Sequence, residues 1–214
     1  MRRHHLLLLL VVLAAAGAAA SQERPEPKGA GAAAVTPAAA AQFVRRSCRA
    51  TQYPRVCEST LLPCAPAVGR SPRRLARAAL VVGADRARNC SAYLRGAGGA
   101  ASSYGGAGSP RGGVAIEDCL ELVGDAEDLL RQSAAEMERM GRAGSPRFQW
   151  HLGNVQTWAS AALTDTSTCL DSLASRAGRG VDKDAVKRRV QAVAQATSNA
   201  LALVNKLDPE PPRL

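Results

Sequence analysis

Apolar side chains recur at three- and four-residue steps through most of this sequence, and this spacing constrains the fold more than any other feature. It runs through residues 72–96, 114–140, 147–177 and 182–207. Such a period places the apolar groups on one face of an α-helix. The clearest stripe, in the second segment, consists of Ile116, Cys119, Leu120, Val123, Ala126, Leu130, Ala134 and Met137. Because period-two alternation is absent, the sequence predicts helices of about 40 Å rather than strands.

Capping and turn residues separate the helical segments. Ser71 and Pro72 open the first as N-cap and first helical residue, and Asp182 caps the last. The Gly/Ser-rich stretch 96–113 predicts a loop. Aromatic residues make up only 3% of the chain, so the core must consist mainly of alanine, leucine and valine, which suits close-packed helices. We therefore predict an all-α, up-down-up-down four-helix bundle over residues 72–207.

The N-terminal part of the chain predicts export followed by a small helical hairpin. Residues 1–20 combine two arginines, an apolar run and a small-residue cleavage site, as in a secretory signal peptide. Residues 21–41 are rich in Pro, Ala and Gly and predict a flexible linker. The folded domain is expected at 42–208, and a Tyr-Pro pair divides its first part, 42–65, into two short helices. No later segment is apolar enough to span a bilayer, so we expect a secreted protein.

Six cysteines in an oxidising compartment are expected to form disulfides, which would staple the bundle. Cys48 and Cys57 flank a turn-forming stretch that would bring them together, and we predict that they pair. Cys119 and Cys169 lie on the buried stripes of consecutive helices, where antiparallel packing would place their sulfurs face to face. Composition and spacing alone leave the pairing of the last four cysteines open.

The sequence leaves three possibilities open for the pairing of Cys64 and Cys90. The chain between Cys64 and the first long helix reaches about 26 Å, and Cys90 lies about 27 Å along that helix. A third bridge is therefore near its geometric limit, and the alternatives are two separate thiols or an intermolecular link. Asn89, Cys90 and Ser91 also form a glycosylation sequon. A sugar on Asn89 requires that side chain to face outward from its helix.

Few side chains are suited to catalysis. His4 and His5 lie in the predicted signal peptide, which leaves His151 as the one histidine of the mature chain. A zinc site with several histidines cannot be assembled, and a serine or cysteine nucleophile would have a single candidate base. We interpret four acidic residues of the second long helix as a solvated flank: Asp118, Glu121, Asp125 and Asp128. The sequence thus predicts a protein without catalytic residues, metal site or cofactor.

The net charge indicates an acidic partner. It is +10 for the whole chain and about +8 after removal of the signal peptide. On a secretory route the polyanions that such a surface attracts are acidic polysaccharides and acidic protein surfaces rather than nucleic acid.

Six short motifs, in order and with the cysteine spacing, resemble the plant invertase and pectin methylesterase inhibitor family over residues 42–207. They are Phe43–Cys48, Tyr53–Cys57, Glu117–Leu122, Asn154–Asp165, Thr168–Asp171 and Ser198–Ala202. The resemblance implies a secreted four-helix bundle with an N-terminal hairpin. It also implies the bridges Cys48–Cys57 and Cys119–Cys169.

The family resemblance implies two alternative targets. The runs Gln156–Asp165 and Cys169–Asp171 are similar to the methylesterase-inhibitor branch, whose members form one-to-one complexes and cover the acidic pectin-binding cleft. We therefore expect an inhibitor of pectin methylesterase in the apoplast or cell wall, whose association weakens with salt. Pro146, Arg147 and Phe148 resemble a Pro-Lys-Phe motif of invertase inhibitors, with arginine in place of lysine. Inhibition of acid invertase is the alternative, and a non-inhibitory protein that binds acidic pectin is a second one.

Candidate contacts with the target enzyme follow one face of the third long helix, where small and polar residues lie opposite the apolar stripe. Arg147 and Phe148 precede that face and would contact the target if they act as the invertase-type motif does. The structural alternative is that Pro146 starts a helix and Phe148 packs into the core. The face itself is predicted to contribute hydrogen bonds from Asn154, Thr157, Ser160, Thr164 and Asp165.

Overall fold

The computed structural model describes residues 35–103, 110–175 and 182–208, and these residues are helical, without strands. Three short helices come first: α1 (Pro37–Cys48), α2 (Pro54–Leu61) and, after a 3₁₀ turn at Leu62–Cys64, α3 (Ala65–Val68). Four long helices follow, and their bounds are α4 (Pro72–Ser103), α5 (Pro110–Arg139), α6 (Pro146–Ser175) and α7 (Lys183–Asn205). The predicted signal peptide, residues 1–20, lies outside the described residues.

The four long helices form a closed antiparallel bundle. Each packs against the next in the chain, and α7 packs against α4. Early residues of one helix meet late residues of its neighbour, as in the pair Arg77 and Glu138 of α4 and α5 or Gln156 and Asn205 of α6 and α7. The predicted up-down-up-down bundle with its N-terminal hairpin is confirmed. No helix among the described residues is long and apolar enough to cross a membrane.

Two predicted boundaries are wrong, because local capping at one and the small cost of glycine in a helix at the other outweigh the composition on which they rested. Helix α1 begins at Pro37 rather than Gln42, since the Thr36 side chain accepts a hydrogen bond from the Ala39 backbone N–H and alanines follow. The predicted 96–113 loop is also too long, because α4 continues to Ser103 and α5 starts at Pro110. Each glycine there costs a helix only about 1 kcal/mol relative to alanine. The predicted caps Ser71 and Asp182 are confirmed, and each accepts a backbone N–H three residues ahead.

The interior divides into two clusters of small and medium side chains. The larger cluster lies where the hairpin meets the bundle and includes Leu61, Leu80, Leu130 and Phe148. The second surrounds Cys119 and Cys169. Among the residues whose side chains the structure describes, its buried members are mostly valine, alanine and cysteine, and Tyr93, Leu120, Leu122 and Leu170 pack against them. The disulfide between Cys119 and Cys169 lies within this cluster.

Paired hydrogen bonds attach the hairpin to α7. The Tyr53 N–H donates to Oδ1 of Asn199 (3.0 Å), and Nδ2 of Asn199 donates to the Tyr53 carbonyl (3.0 Å). Asn199 is buried, so this side chain satisfies the backbone of the turn between α1 and α2. The predicted Cys48–Cys57 bridge closes the same turn, with the sulfurs 2.02 Å apart.

The second predicted bridge, Cys119–Cys169, joins α5 to α6 with Cα atoms 4.8 Å apart. A third bridge is not formed, since Cys64 and Cys90 are both free thiols. Cys64 packs against the larger cluster whereas Cys90 belongs to the second, because Cys90 lies several turns along α4. Burial raises the pKa of Cys90 to about 11, although the charge of Arg189 partly opposes this shift. That thiol therefore stays protonated and unreactive at neutral pH.

Candidate functional site

The outward face of α6 carries the polar row predicted as the contact surface. Thr157, Ser160 and Thr164 are all exposed, as is Thr168 one turn further on. The opposite side of the helix is buried through Leu152, Val155, Ala159, Ala162 and Cys169. The three- and four-residue spacing of this buried stripe turns the threonines and serine outward. The structure therefore confirms that these positions share one accessible face.

The hydroxyl groups on this face are held in fixed orientations. Thr157 donates to the Gly153 carbonyl (2.9 Å), Thr164 to the Ser160 carbonyl (3.1 Å) and Thr168 to the Thr164 carbonyl (2.9 Å). Each hydroxyl proton is thus committed within the helix, while the oxygen lone pairs and the methyl groups remain available. A partner would meet a row of hydrogen-bond acceptors separated by small apolar groups.

Trp150 extends the face and was missed by the sequence analysis. Its side chain is 70% exposed, an unusual position for a large aromatic group. It lies two turns before Thr157, and the intervening Gly153 has open space where a Cβ would be. The signal was present in the sequence, because Trp150 falls off the apolar stripe defined by Phe148 and Leu152. From Trp150 to Thr168 the face is about 27 Å long.

The predicted contact Asn154 is half-buried and takes part in hydrogen bonds between α6 and α5. Its Nδ2 donates to Oε1 of Glu136 on α5 (2.8 Å), and Nδ1 of His151 lies 2.7 Å from the same oxygen. Nη1 of Arg139 donates to Oε2 of the same carboxylate (3.1 Å). Glu136 is buried, and these contacts attach the first turns of α6 to α5. The hydrogen bonds from Asn154 and His151 lower the pKa of Glu136, although its burial opposes the shift.

A Glu136→Gln substitution is expected to lower the free energy of unfolding at pH 7 by about 2 kcal/mol, because charge-assisted hydrogen bonds become neutral ones. The folded pKa of Glu136 lies below its ordinary 4.5. Its ionised form therefore stabilises the fold above that value, and this contribution is lost as the pH falls through the folded pKa. Denaturant titrations between pH 7 and pH 3 should show the difference from wild type shrinking in acid. A constant difference, or the same behaviour in the exposed control Glu121→Gln, would contradict the assignment.

Asp165 lies on the flank of the α6 face rather than at its centre. It is half-buried, and both this burial and the nearby charge of Asp125 on α5 raise its pKa.

Of the acidic residues interpreted as a solvated flank, Glu121, Asp125 and Asp128 are exposed and Asp118 is half-buried. Among the described residues, no group of acidic, histidine and cysteine side chains is arranged to hold a metal ion.

The connection that resembles the invertase-type motif is built into the bundle. Phe148 is only 2% exposed, so it is unavailable as a surface contact, and the structural alternative for Pro146 and Phe148 is the one observed. Arg73 of α4 lies 5.5 Å from the Phe148 ring centroid and donates to the carbonyls of Met140 and Gly141. Nε of the exposed Arg147 donates to the Arg139 carbonyl (3.2 Å). These contacts fix the turn between α5 and α6.

Lysine and arginine residues are frequent on α4 and α7 and rare on α6. Arg147 is the one basic residue of α6. The described basic side chains of α4 and α7 are Arg73, Arg74, Arg77, Arg86, Arg88, Arg95, Lys183, Lys187, Arg188 and Arg189. Asn89 of the sequon is exposed on α4, and its glycosylation stays a prediction.

Comparison with known proteins places the chain among plant inhibitors. Residues 42–203 match the family model described as plant invertase/pectin methylesterase inhibitor. A 21 kDa protein of Daucus carota is 40% identical over 172 residues, which cover 80% of this chain and 86% of the relative. Pectinesterase inhibitor 9 of Arabidopsis thaliana is 41% identical over 167 residues, which cover 77% and 80%.

The fold is also similar to a solved structure, the crystal structure of a mutant form of a pectin methylesterase inhibitor from Arabidopsis. The TM-score is 0.55 at 22% sequence identity, and the match covers 74% of this chain and 92% of the other. At this level of identity the likeness supports the bundle architecture.

Proposed function

Because this chain belongs to the plant invertase/pectin methylesterase inhibitor family, we propose that it inhibits a pectin methylesterase by forming a one-to-one complex. In this complex the outward face of α6 covers the cleft in which the enzyme binds pectin. The protein acts by occlusion and has no chemistry of its own. Its proposed location is the apoplast, which the signal peptide predicted at residues 1–20 would allow it to reach.

The observation that carries this proposal is the outward face of α6, with exposed Trp150 at one end and a row of fixed hydroxyls beyond it. Exposed aromatic side chains are frequent anchors of protein interfaces, and a tryptophan loses little conformational entropy on binding. Small residues beside the anchor let a partner approach the helix closely. At about 27 Å the face is long enough to contribute to an interface of about 800 Å² per partner.

The burial of Phe148, just after the turn between α5 and α6, favours pectin methylesterase over invertase as the target. An inhibitor that inserts a phenylalanine into its target needs that ring at the surface, whereas Phe148 is buried here. Exposing it would open the larger core cluster and cost about 3 kcal/mol, the range for loss of a buried aromatic side chain.

Inhibition assays with both enzyme classes test the proposal. The purified protein is added to a plant pectin methylesterase and, separately, to an acid invertase, and residual activity is measured. We expect the methylesterase to be inhibited with an equivalence point of one inhibitor per enzyme, and the apparent KM for pectin to rise because the cleft is covered. Inhibition of invertase alone, or of neither enzyme, would contradict the proposal, and inhibition independent of pectin concentration would contradict the occlusion mechanism.

A further inference from the structure

A cleft between α4 and α7 combines two arginines with an amide and a buried thiol. Its volume is about 360 Å³, and it is lined by Arg86, Asn89, Cys90, Arg189 and Ala192. This volume falls within the range of about 300–1,000 Å³ that is typical of small-molecule sites. In the closed bundle α4 lies diagonally across from α6, so the cleft and the α6 face are on different sides of the molecule.

The arginines of this cleft have no acidic partner in the part of the chain that the structure describes. Neither Arg86 nor Arg189 forms an ion pair there, whereas the neighbouring Asp85 is shared between Arg88 and Arg131. The guanidinium of Arg189 is held against the ring of Tyr93, with its carbon 4.0 Å from the centroid. Stacking covers one face of the guanidinium but leaves its N–H edge free.

A guanidinium with a free N–H edge is suited to an oxyanion. Its donors match the two oxygens of a carboxylate and bind them in parallel, and the Asn89 amide adds further donors. The ring contact with Tyr93 orients Arg189 before a ligand arrives, which reduces the conformational entropy lost on binding. The protonated Cys90 thiol adds no negative charge that would repel such a ligand.

We propose that the cleft between α4 and α7 binds the carboxylate of a uronate in an acidic polysaccharide, with Arg86, Arg189 and Asn89 as the binding groups. The choice of a uronate among carboxylates rests on the proposed function, because hydrolysis of pectin methyl esters leaves free carboxylates on the polymer. The inhibitor would then bind the demethylated product through α4 and α7 while its α6 face remains free for the enzyme.

Titration with a short galacturonate oligomer tests this site. The starting protein carries Ser91→Ala, which removes the sequon so that Asn89 carries no sugar. The Ser91 hydroxyl is buried without a hydrogen-bond partner among the described residues, so its loss should not destabilise the fold. Arg189→Gln is compared with Arg188→Gln, which removes the same charge from an exposed neighbouring position on α7. We expect Arg189→Gln to weaken binding of the oligomer at least about tenfold and Arg188→Gln less than about twofold.

Two further ligands separate a uronate from other anions. The fully methyl-esterified oligomer should not bind, because it lacks the carboxylates, and inorganic sulfate should compete only at much higher concentration. Equal losses in the two arginine variants, equal binding of the esterified oligomer, or sulfate competing as well as the oligomer would each overturn the proposal, as would absence of binding. Methylesterase inhibition is measured on the same proteins. If the protein inhibits the methylesterase but its binding of the oligomer does not depend on Arg189, only this site is rejected. If the protein binds the oligomer but does not inhibit the methylesterase, only the proposed function is rejected.

Discussion

Thr157→Arg and Thr164→Arg are each expected to lower inhibition of pectin methylesterase by about 30- to 1,000-fold, which corresponds to about 2–4 kcal/mol of binding free energy at the centre of an interface. Both threonines lie in the middle of the exposed α6 face. A long arginine side chain in place of a small threonine would hold the enzyme away from the helix and disrupt the close packing of the interface. The change is measured as the inhibition constant, with the enzyme and pectin concentrations held constant.

We do not expect the loss of inhibition in the two threonine variants to result from destabilised folding. The Thr157 and Thr164 hydroxyls bond only to carbonyls of their own helix, and exposed substitutions of this kind change stability by about 0.5 kcal/mol or less. Gln191→Arg, at an exposed position of α7, adds the same side chain away from the face and should retain full potency. Trp150→Ala tests the same face by removing its anchor and should weaken inhibition at least about tenfold. Unchanged potency in both threonine variants would exclude this face as the contact surface.

Helix periodicity was sufficient to predict the bundle and its hairpin, and the turn-forming stretch between Cys48 and Cys57 predicted the first disulfide, whereas the Cys119–Cys169 pairing was implied by the family resemblance. The signals are strong because each long helix buries a continuous stripe, such as the one from Leu152 to Cys169 in α6, and every residue of the stripe contributes to the pattern. Composition was a weaker guide. The alanines before Gln42 and the glycines after Arg95 suggested irregular chain, whereas Thr36 caps a helix that starts at Pro37 and α4 continues through the glycines to Ser103.

The candidate site was predicted only in part, because contacts between helices depend on register that the sequence does not specify. Thr157, Ser160 and Thr164 were predicted correctly to share a face, since spacing within one helix determines that. Asn154 was placed on the same face, but its partner Glu136 lies on another helix. The cleft formed by Arg86 and Arg189 likewise depends on how α4 meets α7. Net charge alone did not indicate that the basic residues avoid α6.

Removal of the Cys119–Cys169 bridge by a Cys119→Ala/Cys169→Ala double substitution is expected to lower the free energy of unfolding by about 4 kcal/mol. The bridge spans a sequence separation of 50, so it restricts a long loop of the unfolded chain. The Cys48–Cys57 bridge spans only 9, and its removal by the corresponding double alanine substitution should cost about 2.5 kcal/mol in the same chain-entropy description. Denaturant titrations of the two variants and the wild type give both differences directly.

The location of the Cys119–Cys169 bridge suggests a second consequence for α6. Near its start, α6 is attached to α5 by the Glu136 hydrogen bonds, and towards its end by Cys169. Cys169 is adjacent to Thr168 and lies several turns from the Glu136 hydrogen bonds, so loss of the bridge should loosen the Thr168 end of the face before the Trp150 end. Amide hydrogen exchange in the bridge variant should therefore accelerate more in the later turns of α6 than in the first ones. Equal stability losses in the two bridge variants would contradict the dependence on loop length, and uniform exchange along α6 would show that the bridge does not have this local role.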